Sequence, residues 1–98
     1  MKTHDQVVAI AKATLKIEAQ SVNELIQYID YSFTNAVAAI FHSKGRVIIT
    51  GVGKSAIIAQ KITATFNSTG TPSIFMHAAD AVHGDLGIIQ KEDIIICI

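Results

Sequence analysis

Between Asp5 and Ser43 the chain contains neither Gly nor Pro, and apolar residues recur at intervals of three and four: Val22, Leu25 and Ile26, Ile29, Phe33, Ala36 and Val37, Ile40 and Phe41. That spacing predicts a long amphipathic helix. Ser21 followed by Glu24 has the form of a capping box, which predicts that this helix starts there and that Val7, Ile10, Ala11 and Ile17 belong to a separate, earlier one. After Gly45 the pattern changes to short apolar runs closed by turn or helix-start residues: Val47-Ile48-Ile49-Thr50, Ser73-Ile74-Phe75-Met76 and Ile94-Ile95-Ile96-Cys97-Ile98. Runs of this kind predict parallel strands buried on both faces. Between the first two, residues 54–68 carry Ile57, Ile58, Ile62 and Phe66 on one face and end at Gly70-Thr71-Pro72, as a helix does at its C-cap.

Strand, helix and strand make a right-handed crossover unit. The expected fold class is therefore α/β, a three-layer α/β/α arrangement around a parallel sheet of flavodoxin-like order, with the first strand between the second and third. The expected organisation is the N-terminal part of a single domain, with a helical region over 5–43 and a βαβ core over 46–98. A chain that ends on five apolar residues, in what should be an interior strand, reads as truncated there, and its last strand as an open edge that invites pairing.

Composition narrows the partners. Half of the 98 residues are apolar and 16% are charged, eight of each sign, below the roughly 25% charged fraction usual for soluble chains and incompatible with disorder. A net charge of zero without a Lys or Arg cluster argues against nucleic acid and against an anionic membrane surface. The single cysteine, Cys97, permits no internal disulfide and no cysteine-based zinc site. The polar N-terminus and the lack of a long apolar window point away from export or a membrane span, so the expected location is the cytoplasm.

Candidate chemistry begins at Thr50-Gly51-Val52-Gly53-Lys54-Ser55, where the first strand runs into a helix. This is the position at which open parallel sheets hold ligands, and glycines there let backbone amides approach an anion. A P-loop needs a further glycine five positions before Gly53, where Ile48 stands. A dinucleotide fingerprint matches Gly51, Gly53 and Ala56, but the acid it requires at the end of the second strand is replaced by His77. The third reading is a small phosphorylated ligand held by Gly51, Gly53 and Ser55, with Lys54 facing a phosphate or a developing enediolate. Against it stands the plain reading of Lys54 as a solvated lysine and Ser55 as an ordinary helix-start residue.

The segment from His77 to Gly87 places two histidines, His77 and His83, and two aspartates, Asp80 and Asp85, after the second strand, on the same sheet edge. Imidazoles there can move protons, donate to sugar hydroxyls or bind a metal. The plain alternative is that Asp80 caps a short helix, Asp85 closes a turn and each histidine is merely hydrogen-bonded. Histidines six apart match no common zinc pattern. His4 and His42 lack such neighbours and read as surface residues.

With these motifs in view, the chain resembles the sugar isomerase (SIS) domain of the arabinose-5-phosphate isomerases. The resemblance runs through Gly51-Val52-Gly53-Lys54-Ser55, Ala64-Thr65-Phe66-Asn67-Ser68-Thr69-Gly70-Thr71-Pro72, His77 and Ala81-Val82-His83-Gly84-Asp85-Leu86-Gly87. It departs from the family at Ala78, where a proline usually follows the first histidine. The resemblance implies a five-stranded sheet and homo-oligomers, tetramers or dimers, with sites near subunit boundaries. It implies a catalytic role for Lys54 and substrate contacts at Gly70, Thr71, His77 and His83. No cofactor is implied for turnover; zinc, bound through His77, is implied as an inhibitor. The implied reaction interconverts D-ribulose 5-phosphate and D-arabinose 5-phosphate through an enediolate, for 3-deoxy-manno-octulosonate and so for lipopolysaccharide or capsule. The family's phosphate-gripping Ser-rich turn, its catalytic acids and often a pair of CBS domains follow the strand that ends here, so the 98 residues alone are expected to be inactive. The rival from another class is a regulator that binds sugar phosphates without converting them.

Overall fold

The structure is a computed structural model that describes all 98 residues. The chain divides into two compact units, Met1–Asn35 and Ala36–Ile98. The first is helical. Helix α1 (His4–Glu24) starts at a capping box: the Gln6 amide donates to Thr3 Oγ1 at 3.3 Å and the Thr3 amide to Gln6 Oε1 at 2.9 Å. A single 3₁₀ turn over Leu25–Tyr28 follows, and α2 (Tyr31–His42) begins after Asp30.

The start expected at Ser21 is thus corrected. Ser21 lies inside α1 with its hydroxyl donating to the Ile17 carbonyl at 2.8 Å, and Glu24 is engaged by Gln20 Nε2 at 3.0 Å. Both halves of the apparent capping box are consumed one turn back, so the helix runs on. The break comes where Asp30 Oδ1 accepts from the Ser32 amide at 2.8 Å and the Ser32 hydroxyl at 2.6 Å, capping α2. Helix α1 has no buried residue; Val8, Leu15 and Val22 along it, and Ile26 in the 3₁₀ turn that follows, are all exposed.

The second unit is built on three parallel strands, β1 (Val47–Gly51), β2 (Ser73–His77) and β3 (Ile94–Cys97), in the order β2-β1-β3. Helix α3 (Lys54–Ser68) joins β1 to β2. Helix α4 (Ala78–Val82) and a 3₁₀ turn over Asp85–Ile88 lie between β2 and β3. Because the chain steps from β1 to β2 and then back past β1 to β3, in the opposite direction, right-handed crossovers put α3 on one face and the 78–93 connection on the other. Val47, Ile48 and Ile49 are fully buried, each side chain stabilising the sheet by roughly 1.5–3 kcal/mol. Val47, Ile49 and Ala59 form the core, with Ile40, Ile62, Phe66, Phe75 and Ile96 packed on it.

The amino edge of the sheet is clamped. Asp93 accepts from Arg46 Nη2 at 2.7 Å, from Nε at 3.2 Å and from the Arg46 amide at 2.9 Å, and also from the Gln90 amide at 2.8 Å. Arg46 Nη2 additionally donates to the Ile88 carbonyl at 2.7 Å. The Arg46 side chain, then the amides of Arg46 and Gln90, hold the Asp93 carboxyl well below the usual carboxylate range. Beside this clamp, a side chain at Gly45 would run into the Glu92 carbonyl, so only glycine fits. No helix is long and apolar enough to cross a membrane.

Candidate functional site

The carboxyl edge of β1 and β2 carries the candidate chemistry. Gly51 and His77 are paired neighbours across the two strands, so the glycine turn and the first histidine, 26 positions apart in the chain by their numbers, share one end of the sheet. A Cβ at Gly51 would come within 3.1–3.2 Å of the backbone of Ser55 and Ala56. The absent side chain is what lets the start of α3 fold back over the strand. Gly53 is the N-cap of α3 with φ 61 and ψ −132, a conformation essentially reserved for glycine, and nothing lies within 4 Å of where its Cβ would be.

Helix α3 starts without a side-chain cap. The first amides of a helix have no partner within it, and here Lys54 and Ser55 supply two of them beside open space. Lys54 is exposed, and the single salt bridge of the chain is elsewhere, between Arg46 and Asp93. An unpaired ammonium at the positive end of a helix is an unfavourable local arrangement that an incoming anion relieves. Ser55 is half-buried and its hydroxyl makes no hydrogen bond in the chain. At the last position of β1 before the glycines, Thr50 Oγ1 is buried without a partner, a hydroxyl with no signal of its own in the sequence because threonine is a common strand residue.

His77 is half-buried and serves as N-cap of α4: the Ala79 amide donates to its Nδ1 at 3.1 Å. Its ring meets Phe75 edge to face, centroids 6.2 Å apart. The cap of α4 is therefore His77 and not Asp80, which lies inside the first turn. His83 closes α4 as its C-cap, exposed, with its amide donating to the Asp80 carbonyl at 3.0 Å. Six helical rises put its Cα about 9 Å from that of His77. Gly84 follows at φ 134.

Gly70 and Thr71 are not brought to this edge. They lie between α3 and β2 at the amino edge, where Gly70, at φ 92, and Thr71 complete a Schellman motif with the Thr71 amide donating to the Phe66 carbonyl at 2.9 Å. Asn67 fixes the same turn by accepting from the Ser73 amide at 2.8 Å and donating to the Ser73 carbonyl at 3.0 Å. Six extended steps along the chain separate Thr71 from His77, about 20 Å. Within this chain, no group of three or more His, Cys, Asp or Glu is placed to hold a metal ion at His77 or elsewhere. His4 and His42 are exposed, as expected.

Comparison with known proteins agrees with the motif reading. A family model described as the SIS domain matches residues 39–98. Arabinose 5-phosphate isomerase KdsD of Escherichia coli K12 is 48% identical over 87 residues, which is 89% of this chain and 26% of that protein. Arabinose 5-phosphate isomerase GutQ of Salmonella typhi is 42% identical over 94 residues, 96% of this chain and 29% of that protein. The chain thus spans about a quarter of the length of the curated relatives it matches. Among solved structures, c3406 of Escherichia coli CFT073 in complex with arabinose 5-phosphate superposes with a TM-score of 0.91 at 41% identity, covering 98% of this chain and 51% of the other.

Proposed function

From the premise that the chain belongs to the SIS domain family, we propose that it forms part of an aldose–ketose isomerase interconverting D-ribulose 5-phosphate and D-arabinose 5-phosphate. The observation that carries this reading is Lys54, an exposed ammonium without a carboxylate partner at the first turn of α3, on the sheet edge that Gly51 shares with His77. Its support from relatives is the 48% identity to an arabinose 5-phosphate isomerase across most of this chain.

The reaction takes a proton from C1 of the ketose and returns one to C2, with an enediolate between. Negative charge builds on the oxygens at C1 and C2, where Lys54 and the free amides of the α3 N-terminus supply preorganised positive potential. His83, exposed at the end of α4, is suited to passing a proton between the two oxygens. The carbon base is assigned to none of the 98 residues. Gly70 and Thr71, on the opposite edge, reach a ligand at the carboxyl edge only from another copy of the chain, so the reading includes a homo-oligomer with shared sites.

The test follows conversion of D-ribulose 5-phosphate by the longest protein that carries this sequence, beside its Lys54→Ala variant. The parent should be active and the variant slower by roughly 10²-fold or more. A folded parent that binds the sugar phosphate without converting it would assign the protein to the sensing regulators instead, with Lys54 and the histidines as ligand contacts.

A further inference from the structure

We propose that His77 serves the site as a fixed hydrogen-bond donor through Nε2–H, its Nδ1 being committed to the start of α4, so that it holds a ligand oxygen and does not ligate a metal. The ligand's identity rests on the function proposed above; the state of the ring does not.

A neutral imidazole has one N–H and one lone pair. The Ala79 amide donates to Nδ1 at 3.1 Å, so the lone pair is at Nδ1 and the proton at Nε2. This bond satisfies one of the orphan amides of α4, so reversing the tautomer would cost the helix its cap and set two donors face to face. The ring is held from a second side by the edge-to-face contact with Phe75, itself packed on the core. Nε2 makes no hydrogen bond in the chain, which leaves its proton as the group His77 can offer at the carboxyl edge.

A metal-bound histidine normally donates its second N–H to a carbonyl or carboxylate, which fixes the lone pair toward the ion. In His77 the second nitrogen faces a donor, the opposite arrangement. Removing the Nε2 proton to admit zinc would require it to appear on Nδ1, against the Ala79 amide. Within this chain no additional His, Cys, Asp or Glu completes a ligand set. For the same reason Nε2 has no lone pair with which to take a proton from carbon, and the contribution of His77 to the isomerisation is a hydrogen bond to the substrate's oxygen.

Two substitutions separate the two nitrogens. His77→Asn sets a carboxamide oxygen near the Nδ1 position, keeping the cap and losing the donor; His77→Gln carries an amide NH₂ out to the Nε2 position and loses the cap. Binding of arabinose 5-phosphate should weaken about tenfold or more in His77→Asn, one lost hydrogen bond, while its unfolding temperature stays at the parental value. His77→Gln should bind more tightly than His77→Asn although it melts lower. Long-range ¹H–¹⁵N correlation spectra of the parent, with His77 identified by its loss in the variants, should show the Nε2–H tautomer and stay unmoved by equimolar zinc. An Nδ1–H tautomer, zinc-shifted His77 resonances, or parental affinity in His77→Asn would each overturn the proposal. A parent that binds no arabinose 5-phosphate would defeat the isomerase reading alone, and the tautomer and zinc measurements would still decide the state of His77.

Discussion

Gly53 is the residue on which the candidate site turns, because its φ of 61 with ψ −132 lets the chain leave β1 and enter α3 without a side chain over the first amides. Gly53→Ala places a Cβ in a backbone region that L-residues rarely occupy and should destabilise the protein by roughly 1–3 kcal/mol, read as a lowered urea midpoint. Space is not the obstacle, since nothing lies within 4 Å of that Cβ; the cost is conformational. Asp93 makes a different prediction. Its carboxyl is held below the ordinary range by Arg46 and by the amides of Arg46 and Gln90, so it binds protons less readily folded than unfolded. The sign follows: its contribution is fully present above the unfolded value of about 4 and is lost as the pH falls below it toward the folded value. Asp93→Asn should therefore flatten the decline of urea midpoints from about pH 4 downward as well as lower them near neutrality. Of these residues, Gly53 stands out in the sequence as one of two glycines at a strand end. Arg46 and Asp93 do not, because their 47-residue separation is closed only by strand pairing.

At the scale of elements, the helices show how one local signal can defeat another. Ser21 and Glu24 have the spacing of a helix start, yet Ser21 bonds back to Ile17 and Glu24 to Gln20, leaving α1 unbroken from His4 to Glu24. The actual start of α2 is marked by Asp30, whose carboxylate gathers the Ser32 amide and hydroxyl and is held below its ordinary pKa by them. Asp30→Ala should lower helicity by circular dichroism and the unfolding temperature, whereas Ser21→Ala should leave both near parental values. The strands were legible to within a residue, since short apolar runs between Gly, Pro and Lys-Ser signals have few other readings. Helix α4, of five residues, was not, because its cap is a histidine and its sequence, Ala78 to Val82, lacks an apolar period long enough to detect.

For the whole molecule, the sheet order β2-β1-β3 brings Gly51 beside His77 and leaves Gly70 and Thr71 at the opposite edge. One copy therefore does not bring all of the candidate residues to one edge. Large apolar side chains stay uncovered on the same molecule, among them Leu15 and Val22 on α1 and Leu25 and Ile26 in the 3₁₀ turn after it, all 56–68% exposed. Exposed apolar surface of this extent predicts association. Sedimentation of the 98-residue chain should show mass rising with concentration, and a monomer of 10.5 kDa at all concentrations would contradict it.

The sequence by itself determined the class of the fold, the three strands, the helix between the first two and the glycine turn, because each is specified by residues within a few positions of one another and their signals are periodic or conformational. Only the tertiary structure decided which of the candidate residues meet. Strand pairing set Gly51 against His77, the length of β2 carried Thr71 away from both, and the fold of α4 committed His77 Nδ1 to a backbone amide. The last of these changes the chemistry of the residue, since the partner of one ring nitrogen dictates what the other can do, and that partner is a backbone group whose direction no residue type encodes.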